Sequence, residues 1–346
     1  MSRLDTITEA STGSPSSAPA VGFRTQQATS LPGGISVVVP VYNGEGTLAE
    51  LVERLSTVLP NCATAYEVIL VNDGSRDRSW KRVCELAELH SWVRGINLMR
   101  NYGQHNALLC GIRSASFDTT VTLDDDLQNP PEEIPKLVAR LAEGHDVVYG
   151  KPLREQHGLL RDVASLVTKL ALQTAIGAET ARDVSAFRAL RTNARGGFEH
   201  FHGPFVSVDV LLTWGTKRFS AIPVRHERRA SGLSNYTFRM LVAHAMNMMT
   251  GFSTLPLRIG SFLGFSFTFL GIIVLIYVVG RYLIQGSSVA GFPFLAAIIA
   301  IFSGVQLFTL GIIGEYLARM HFRLMDRPAY AVRETVGCGP NSNQLP

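Results

Sequence analysis

The chain has 346 residues, of which 46% are hydrophobic and only 17% are charged, and its formal net charge is +4. This composition excludes a protein that is disordered throughout, and the charge is too small to indicate nucleic-acid binding. Four widely spaced cysteines without a C-x-x-C pair exclude a small disulfide scaffold and a cysteine zinc site. Because soluble domains carry roughly 25% charged residues, part of this chain is expected to lie in an environment other than water.

The first 34 residues are rich in Ser, Thr, Pro and Ala and have no apolar stretch of the kind found in signal peptides. They are predicted to form a disordered leader, 1–34. From Ile35 onwards, β-branched apolar runs alternate with segments that carry apolar residues at helical spacing. Each of four such units predicts a strand followed by a helix. The predicted strands are 35–39, 67–71, 93–98 and 119–123, and the helices that follow them are 48–59, 79–89, 105–115 and 131–142.

This alternation predicts an α/β fold with a mostly parallel, Rossmann-like sheet that is covered on both faces. Ligands of such sheets bind beyond the carboxyl ends of the strands. The loops that follow the four predicted strands, after Val39, Val71, Leu98 and Leu123, are therefore expected to converge on one site.

Two long apolar stretches, 259–280 and 292–313, contain no charge and are separated by a short linker that begins with Arg281. Each can cross a membrane as a helix, which needs about 20 residues. The alternative is a buried hairpin in a large soluble core. Basic residues lie outside the pair, so the positive-inside bias predicts that both flanks are cytoplasmic. These residues are Arg228, Arg229, Arg239 and Arg258 before the pair, and Arg319, Arg323, Arg327 and Arg333 after it.

The segment 240–255 has apolar residues interspersed with polar ones, which suits either a helix in the membrane interface or an ordinary packing helix. The predicted organisation is then an α/β domain (35–238), an interfacial helix region (239–257), a two-helix transmembrane domain (258–318) and a cytoplasmic tail (319–346). We expect a multi-pass protein of the inner membrane, with the α/β domain and both termini in the cytoplasm.

Three consecutive carboxylates, Asp124, Asp125 and Asp126, follow the fourth predicted strand, and Gln128 comes shortly after them. Adjacent carboxylates repel one another unless a cation neutralises them, and a hard divalent ion with oxygen ligands would do so. The alternative is a solvated acidic turn or a charge cluster at a helix N-terminus. In extended backbone Asp124 and Asp126 point the same way, while Asp125 points away.

The loops after the first two strands carry turn residues, an aromatic ring at Tyr42 and a carboxylate at Asp73. They suit contacts with a base or ribose, although turn chemistry alone also explains them. No G-x-G-x-x-G fingerprint and no G-x-x-x-x-G-K-[ST] motif is present, so a nicotinamide cofactor and a P-loop are not supported.

The runs RNYGQH (100–105) and LDDDLQNPPEEI (123–134) resemble those of the family-two glycosyltransferases that transfer a sugar to polyprenyl phosphate. That group includes dolichol-phosphate mannose synthases, bactoprenol glucosyltransferases and undecaprenyl-phosphate aminoarabinose transferase. The similarity extends from about Ile35 to Val332. It implies a GT-A fold, a nucleotide-sugar donor, Mg²⁺ or Mn²⁺ as cofactor, a polyprenyl phosphate acceptor in a lipid membrane, and a homo-oligomer, by resemblance a tetramer, without nucleic acid.

The resemblance also assigns residues to roles. The nucleotide-sugar positions are Pro40, Tyr42, Asp73 and Asp124, with Glu45 beside them, and the metal and diphosphate positions are Asp124, Asp126 and Gln128. Arg229 matches an arginine that grips the donor diphosphate, and Asp183 matches an acidic position near the acceptor, as a base or as an orienting group. The acceptor-phosphate positions are Lys151, Arg161 and Ser165, with Arg154 as a neighbouring candidate.

The sequence departs from the family pattern at three positions. Gly44 stands where an acidic residue is usual, Asp125 where Ala is common, and Asn235 where Lys usually precedes a tyrosine. None of these changes removes the metal carboxylates or Asp183, so we expect an active enzyme.

The same resemblance implies an inverting, metal-dependent transfer of a sugar to undecaprenyl or decaprenyl phosphate for modification of cell-envelope glycans. A UDP-sugar, with UDP-glucose as the first guess, is the expected donor. The alternatives are transfer to a lipid hydroxyl or a glycan, and a non-catalytic membrane subunit that binds nucleotide sugars.

Overall fold

The computed structural model describes residues 33–152, 184–203, 206–227, 255–285, 291–325 and 327–337. The predicted leader, apart from Gly33 and Gly34, and most of the predicted interfacial helix region lie outside these residues. The described strands form one eight-stranded sheet in the order β7-β5-β6-β4-β1-β2-β3-β8. The strands are β1 (Ile35–Val41), β2 (Tyr66–Asn72), β3 (Val93–Leu98), β4 (Thr119–Thr122), β5 (Val147–Pro152), β6 (Arg188–Arg191), β7 (Phe219–Val224) and β8 (Val332–Val336).

The helices that cover the sheet follow the predicted alternation. They are α1 (Leu48–Val58), α2 (Ser79–Leu89), α3 (Gln104–Ser114), α4 (Ile134–Ala142) and α5 (Val208–Gly215), with 3₁₀ turns at Leu59–Asn61, Pro131–Glu133 and Thr192–Phe198. The central strands β1, β2, β3 and β4 are parallel, as predicted. Every residue of β1 is buried, because helices pack on both faces of the sheet.

A glycine brings α3 close to the sheet. A Cβ atom on Gly111 would lie 2.2 Å from Cγ1 of Val38 in β1 and 3.2 Å from Cγ2 of Val71 in β2. Only a residue without a side chain allows this approach. It places the first turn of α3 at the carboxyl edge of the sheet, where β1, β2 and β4 end.

Two strands run antiparallel to their neighbours. β6 pairs with β4 and β5, and β8 pairs with β3. β8 lies within the segment that we predicted only as a tail, and it follows the second apolar helix along the chain. The segment after the apolar helices therefore returns to the sheet and forms its edge.

The two apolar helices are longer than predicted, α6 (Leu255–Gln285) with 31 residues and α7 (Phe292–Leu324) with 33. Their candidate membrane spans, Leu255–Arg281 and Ile301–His321, have mean hydropathies of 2.5 and 1.4, and neither is buried inside the protein. Apolar side chains such as Phe265, which is 82% exposed, therefore face outwards. This exposure argues against the alternative of a hairpin buried in a soluble core.

Candidate active site

The loops after β1 and β2 are fixed to each other by hydrogen bonds. The Asn43 N–H donates to Ser75 Oγ at 3.0 Å, and the Gly44 N–H donates to Ser79 Oγ at 2.9 Å. Asn43 has a φ of 54°, in the left-handed region that asparagine tolerates. The first loop is thereby held in a turn that leaves Tyr42 46% exposed at the carboxyl edge of the sheet.

Asp73 follows β2 directly and is almost fully buried. Its carboxylate accepts the Tyr102 N–H at 2.7 Å and the Gly103 N–H at 2.8 Å. Burial raises the pKa of Asp73, against the lowering effect of these two hydrogen bonds. Gly103 has a φ of 97°, which favours glycine, and this turn aims both amides at the carboxylate. The loop after β3 thus holds Asp73 in place.

The acidic loop after β4 directs its first and third carboxylates to different partners. Asp124 Oδ1 accepts from Gln104 Nε2, at the start of α3, at 2.6 Å. Asp126 Oδ1 accepts from the Gln128 N–H at 3.1 Å across a turn in which Leu127 has a φ of 60°. These bonds tie the loop to α3 and to itself.

The middle carboxylate faces the first loop. Asp125 Oδ2 accepts from the Tyr42 N–H at 3.4 Å, and a Cβ atom on Gly44 would lie 2.2 Å from the same oxygen. Burial, and then the charge of Asp124, raise the pKa of Asp125 to about 7. Two of the three departures from the family pattern are therefore neighbours, because the missing side chain of Gly44 leaves room for the Asp125 carboxylate.

The predicted metal ligands offer oxygen atoms only, from the carboxylates of Asp124 and Asp126 and the amide of Gln128. This donor set fits a hard cation such as Mg²⁺ or Mn²⁺. Within the residues that the structure describes, no group of three or more His, Cys, Asp or Glu side chains is arranged to hold a metal. Such a two-carboxylate set suits an ion that takes its other ligands from water and substrate phosphates.

The chain before Arg229 is fastened to the acidic loop. The Glu227 N–H donates to the Gln128 carbonyl at 2.8 Å, and Arg54 in α1 lies 2.7 Å from Glu132 and 3.5 Å from Glu227. Hydrogen bonding from Arg54 lowers the pKa of Glu132. The backbone two residues before Arg229 is thus held beside the predicted metal ligands.

A buried ion pair lies next to the acidic loop. Arg188, the first residue of β6, is opposite Thr122, the last residue of β4. Its Nη1 contacts Asp209 Oδ1 of α5, and the side chains of Arg188 and Asp209 are only 1% and 7% exposed. Tyr149 in β5 donates its hydroxyl to the same Asp209 oxygen at 3.1 Å. The pair therefore links β5, β6 and α5 where the site begins.

The structure brings most of the described candidate residues together at one edge of the sheet: Tyr42, Glu45, Asp73, Asp124, Asp126 and Gln128. Pro40 is buried within β1 beneath them, and Glu45 accepts the Arg78 N–H at 3.2 Å as part of the loop scaffold. Lys151 lies near the end of β5, separated from β4 by β6. The other candidates fall outside the described residues: Arg154, Arg161, Ser165, Asp183 and Arg229.

Sequence reasoning missed Gln104 and the amides of Tyr102 and Gly103. All three lie in the RNYGQH run that carries the family resemblance. The glycine was a usable signal, because a loop that aims backbone amides at a carboxylate commonly needs a positive φ.

Comparison with known proteins agrees with this geometry. Residues 36–195 match the family Glycosyl transferase family 2. The undecaprenyl-phosphate 4-deoxy-4-formamido-L-arabinose transferase of Pectobacterium carotovorum is 35% identical over 305 residues, which are 87% of this chain and 93% of that protein. The Proteus mirabilis protein of the same name is 36% identical over 314 residues, 90% of this chain and 96% of that protein.

Among solved structures, one match is glucosyl-3-phosphoglycerate synthase from Mycobacterium tuberculosis in complex with Mn²⁺, UDP and phosphoglyceric acid. The match covers 63% of this chain and 76% of the synthase chain. The TM-score is 0.48 and the sequence identity is 21%.

The mostly parallel mixed sheet, with carboxylate-bearing loops at the carboxyl ends of β2 and β4, defines an α/β enzyme of the GT-A type. The identity shared with full-length relatives then settles the family. The chain belongs to glycosyl transferase family 2, and it is a glycosyltransferase.

Proposed function

We propose that this glycosyltransferase transfers a sugar from a nucleotide-sugar donor to polyprenyl phosphate at the cytoplasmic face of the inner membrane. One observation carries the proposal: the similarity to undecaprenyl-phosphate sugar transferases spans 305 residues, more than the predicted catalytic domain 35–238 can hold. A region that covers 87% of the chain must contain all of the first apolar helix and the beginning of the second, as well as the sheet strands between them and α1. Two such helices would hold the enzyme at the membrane, where a polyprenyl phosphate acceptor lies.

The donor is proposed to be a UDP-sugar, with UDP-glucose as the first guess. Tyr42 offers an exposed ring on which a base can stack, and Asp73 is held rigidly behind it. Pro40 and Glu45 shape the same loop. These contacts suit the nucleoside half of the donor.

The proposed metal is Mg²⁺ or Mn²⁺, held by Asp124, Asp126 and Gln128. When bound, such an ion stabilises the charge of a departing diphosphate. Gln104 fixes the orientation of Asp124 through the 2.6 Å hydrogen bond, so that the carboxylate needs little reorganisation to bind. Arg229 is proposed to grip the diphosphate, and the docking of Glu227 on the acidic loop supports its place there.

The acceptor phosphate is proposed to bind Lys151, Arg161 and Ser165, with Arg154 nearby. A phosphate oxygen is already anionic near neutral pH, so attack on the anomeric carbon, with inversion, needs no strong base. Asp183 would then orient the reacting groups. The prenyl chain stays in the bilayer, because its removal costs about 0.8 kcal/mol per CH₂.

The proposed topology places both flanks of the helix pair on the catalytic side. The pairing of β8 with β3 supports this, since the chain after α7 must reach the sheet. The basic residues outside the pair point the same way. We propose a role in modifying cell-envelope glycans, in a homo-oligomer.

The test is transfer of radiolabelled sugar from a panel of nucleotide sugars to undecaprenyl and decaprenyl phosphate. Asp126→Asn keeps an oxygen that accepts the Gln128 N–H but removes the charge, so turnover should fall at least about 100-fold without loss of fold. Glu88→Ala, which removes an exposed carboxylate from α2, is the matched control and should transfer normally.

Near-normal turnover by Asp126→Asn would refute the proposed metal role. Wild-type transfer to a lipid hydroxyl or a glycan, but not to polyprenyl phosphate, would favour the first alternative. Tight nucleotide binding without transfer to any acceptor would favour a non-catalytic subunit.

A further inference from the structure

We infer that the segment 327–337, which follows the second apolar helix, is a positioning element of the donor site, and that Glu334 and Arg333 act through it on Asp73. The inference rests on the proposed function, because it takes the loops around Asp73 to bind the nucleotide. It adds a direct link between that binding and the chain that leaves α7.

The first link is a chain of side-chain hydrogen bonds. Asn97 in β3 donates from Nδ2 to Glu334 Oε1 at 2.8 Å, and Asn72 in β2 donates from Nδ2 to Asn97 Oδ1 at 2.8 Å. Both asparagines are buried. Asn72 is the residue immediately before Asp73, so this chain runs from the edge strand to the backbone that carries the donor-site carboxylate.

The carboxylate of Glu334 gives this chain its direction. A carboxylate only accepts hydrogen bonds, so Asn97 must present its NH₂ group to Glu334 and its oxygen to Asn72. Asn72 must then donate in turn, which fixes the orientation of both amides. Within the described residues the buried oxygen of Asn72 has no hydrogen-bond partner, so the contacts of Asn72 itself do not set the orientation of its amide. The carboxylate of Glu334 sets the orientation of both amides.

The second link holds the loop whose amides bind Asp73. The register of β8 against β3 shifts between Asn97 and Leu98, and Arg333 is the extra residue. Its Nη2 donates to the Met99 carbonyl at 3.0 Å, and the Met99 N–H donates to the Ala331 carbonyl at 2.9 Å. Both backbone groups of Met99 are therefore bound by the segment 327–337.

The loop that begins at Met99 is in tight contact with the loop that carries Asp73. A Cβ atom on Gly74 would lie 2.4 Å from the Asn101 backbone nitrogen, and Gly74 has a φ of 65°. Tyr102 and Gly103 then donate their amides to Asp73. A shift at Met99 cannot be absorbed between the two loops and is passed on to the carboxylate.

The segment is well seated before it reaches β8. Ala329 is 4% exposed, and the ring of Tyr330 lies 5.9 Å from the Arg113 guanidinium of α3. Only seven residues separate the end of α7 at Leu324 from the start of β8 at Val332. One short stretch of chain thus connects α7 to the strand that contacts the donor loops.

The test measures affinity for UDP and for GDP, each with Mn²⁺, by calorimetry on the full-length protein in detergent, together with donor and acceptor KM and kcat. The Arg333→Ala/Glu334→Ala variant should weaken binding of the preferred nucleotide and raise donor KM on the order of 10-fold, with kcat and acceptor KM unchanged. Glu334→Ala alone should give about a 3-fold loss, and Glu334→Gln, which keeps an accepting oxygen, should restore wild-type values.

Thr335→Ala is the matched control, because Thr335 is exposed on the same strand and points to the opposite face. It should bind nucleotide normally. Unchanged nucleotide affinity in a folded double variant, or an equal loss in Glu334→Gln and Glu334→Ala, would overturn the inference and leave the proposed function intact. A wild-type protein that binds neither nucleotide would overturn both.

Discussion

The buried pair of Arg188 and Asp209 offers a sharp test of how the site is supported. Asp209→Asn keeps the shape of the side chain and an oxygen for the Tyr149 hydroxyl, but it removes the negative charge. Arg188 then carries an uncompensated charge in a position that is 1% exposed. Within the described residues its Nε has no hydrogen-bond partner, and the ring of Tyr149 lies 5.8 Å from the guanidinium.

Breaking one side of a buried ion pair costs about 3–5 kcal/mol of unfolding free energy, whereas replacing both charges is often neutral. For a domain of this size, 1 kcal/mol corresponds to a shift of roughly 2–4 °C in Tm. Asp209→Asn should therefore lower Tm by about 10 °C. Arg188→Met/Asp209→Asn, which removes both charges and keeps the Tyr149 acceptor, should recover most of that loss.

The assay is thermal unfolding of the purified, ligand-free protein in detergent, followed by near-ultraviolet circular dichroism. The two variants and wild type are compared at the same pH and protein concentration. If the double variant melts as low as Asp209→Asn, the loss does not come from an unpaired charge. A wild-type Tm in Asp209→Asn would equally show that the pair is screened by solvent.

Two further predictions concern the site loops and the sheet. The pKa of Asp125 is raised from its ordinary value of 3.8 to about 7, so its charged form is disfavoured in the folded protein and stability is lost as pH rises from about 4 to 7. In metal-free protein, the Tm of Asp125→Asn should exceed that of wild type. The difference in Tm should grow over this pH range and stay constant above it, and a pH-independent difference would contradict the argument. Gly111→Ala places a methyl group 2.2 Å from Val38 and should lower the free energy of unfolding by about 1–3 kcal/mol. At Gly196 an added Cβ atom would have no neighbour within 4 Å, so Gly196→Ala should leave the denaturant midpoint unchanged.

The parallel half of the sheet could be predicted because its signals are local. The apolar run at 93–98 and the helical spacing at 79–89 match β3 and α2 without error. The other predicted strands and helices of this half differ by a few residues at their ends, since terminal turns are set by contacts that periodicity does not encode. The 3₁₀ turn at Pro131–Glu133, which precedes α4, is an example.

The features that could not be predicted depend on contacts between distant parts of the chain. β8 is short and largely exposed, and its sequence, VRETV, combines three β-branched residues with two charges, so its strand conformation becomes clear only when β3 is placed beside it. Arginine usually lies at the protein surface, so the sequence does not indicate that Arg188 is buried. Its burial depends on the ion pair with Asp209, whose carboxylate also accepts the Tyr149 hydroxyl. The role of Gln104 likewise becomes visible only when α3 meets the acidic loop.

The edge strand also constrains the order in which the molecule can be completed. Asn97 and Glu334 are 237 positions apart in the chain, and both apolar helices are synthesised between them. Until the ribosome has made β8, the outer edge of β3 has unpaired N–H and C=O groups, which can pair with other strands. A fragment cut after residue 238 would keep that edge open permanently. Synthesis of the apolar helices and closure of the sheet are therefore successive stages of one assembly, and a fragment truncated before the helices should be prone to aggregate through β3.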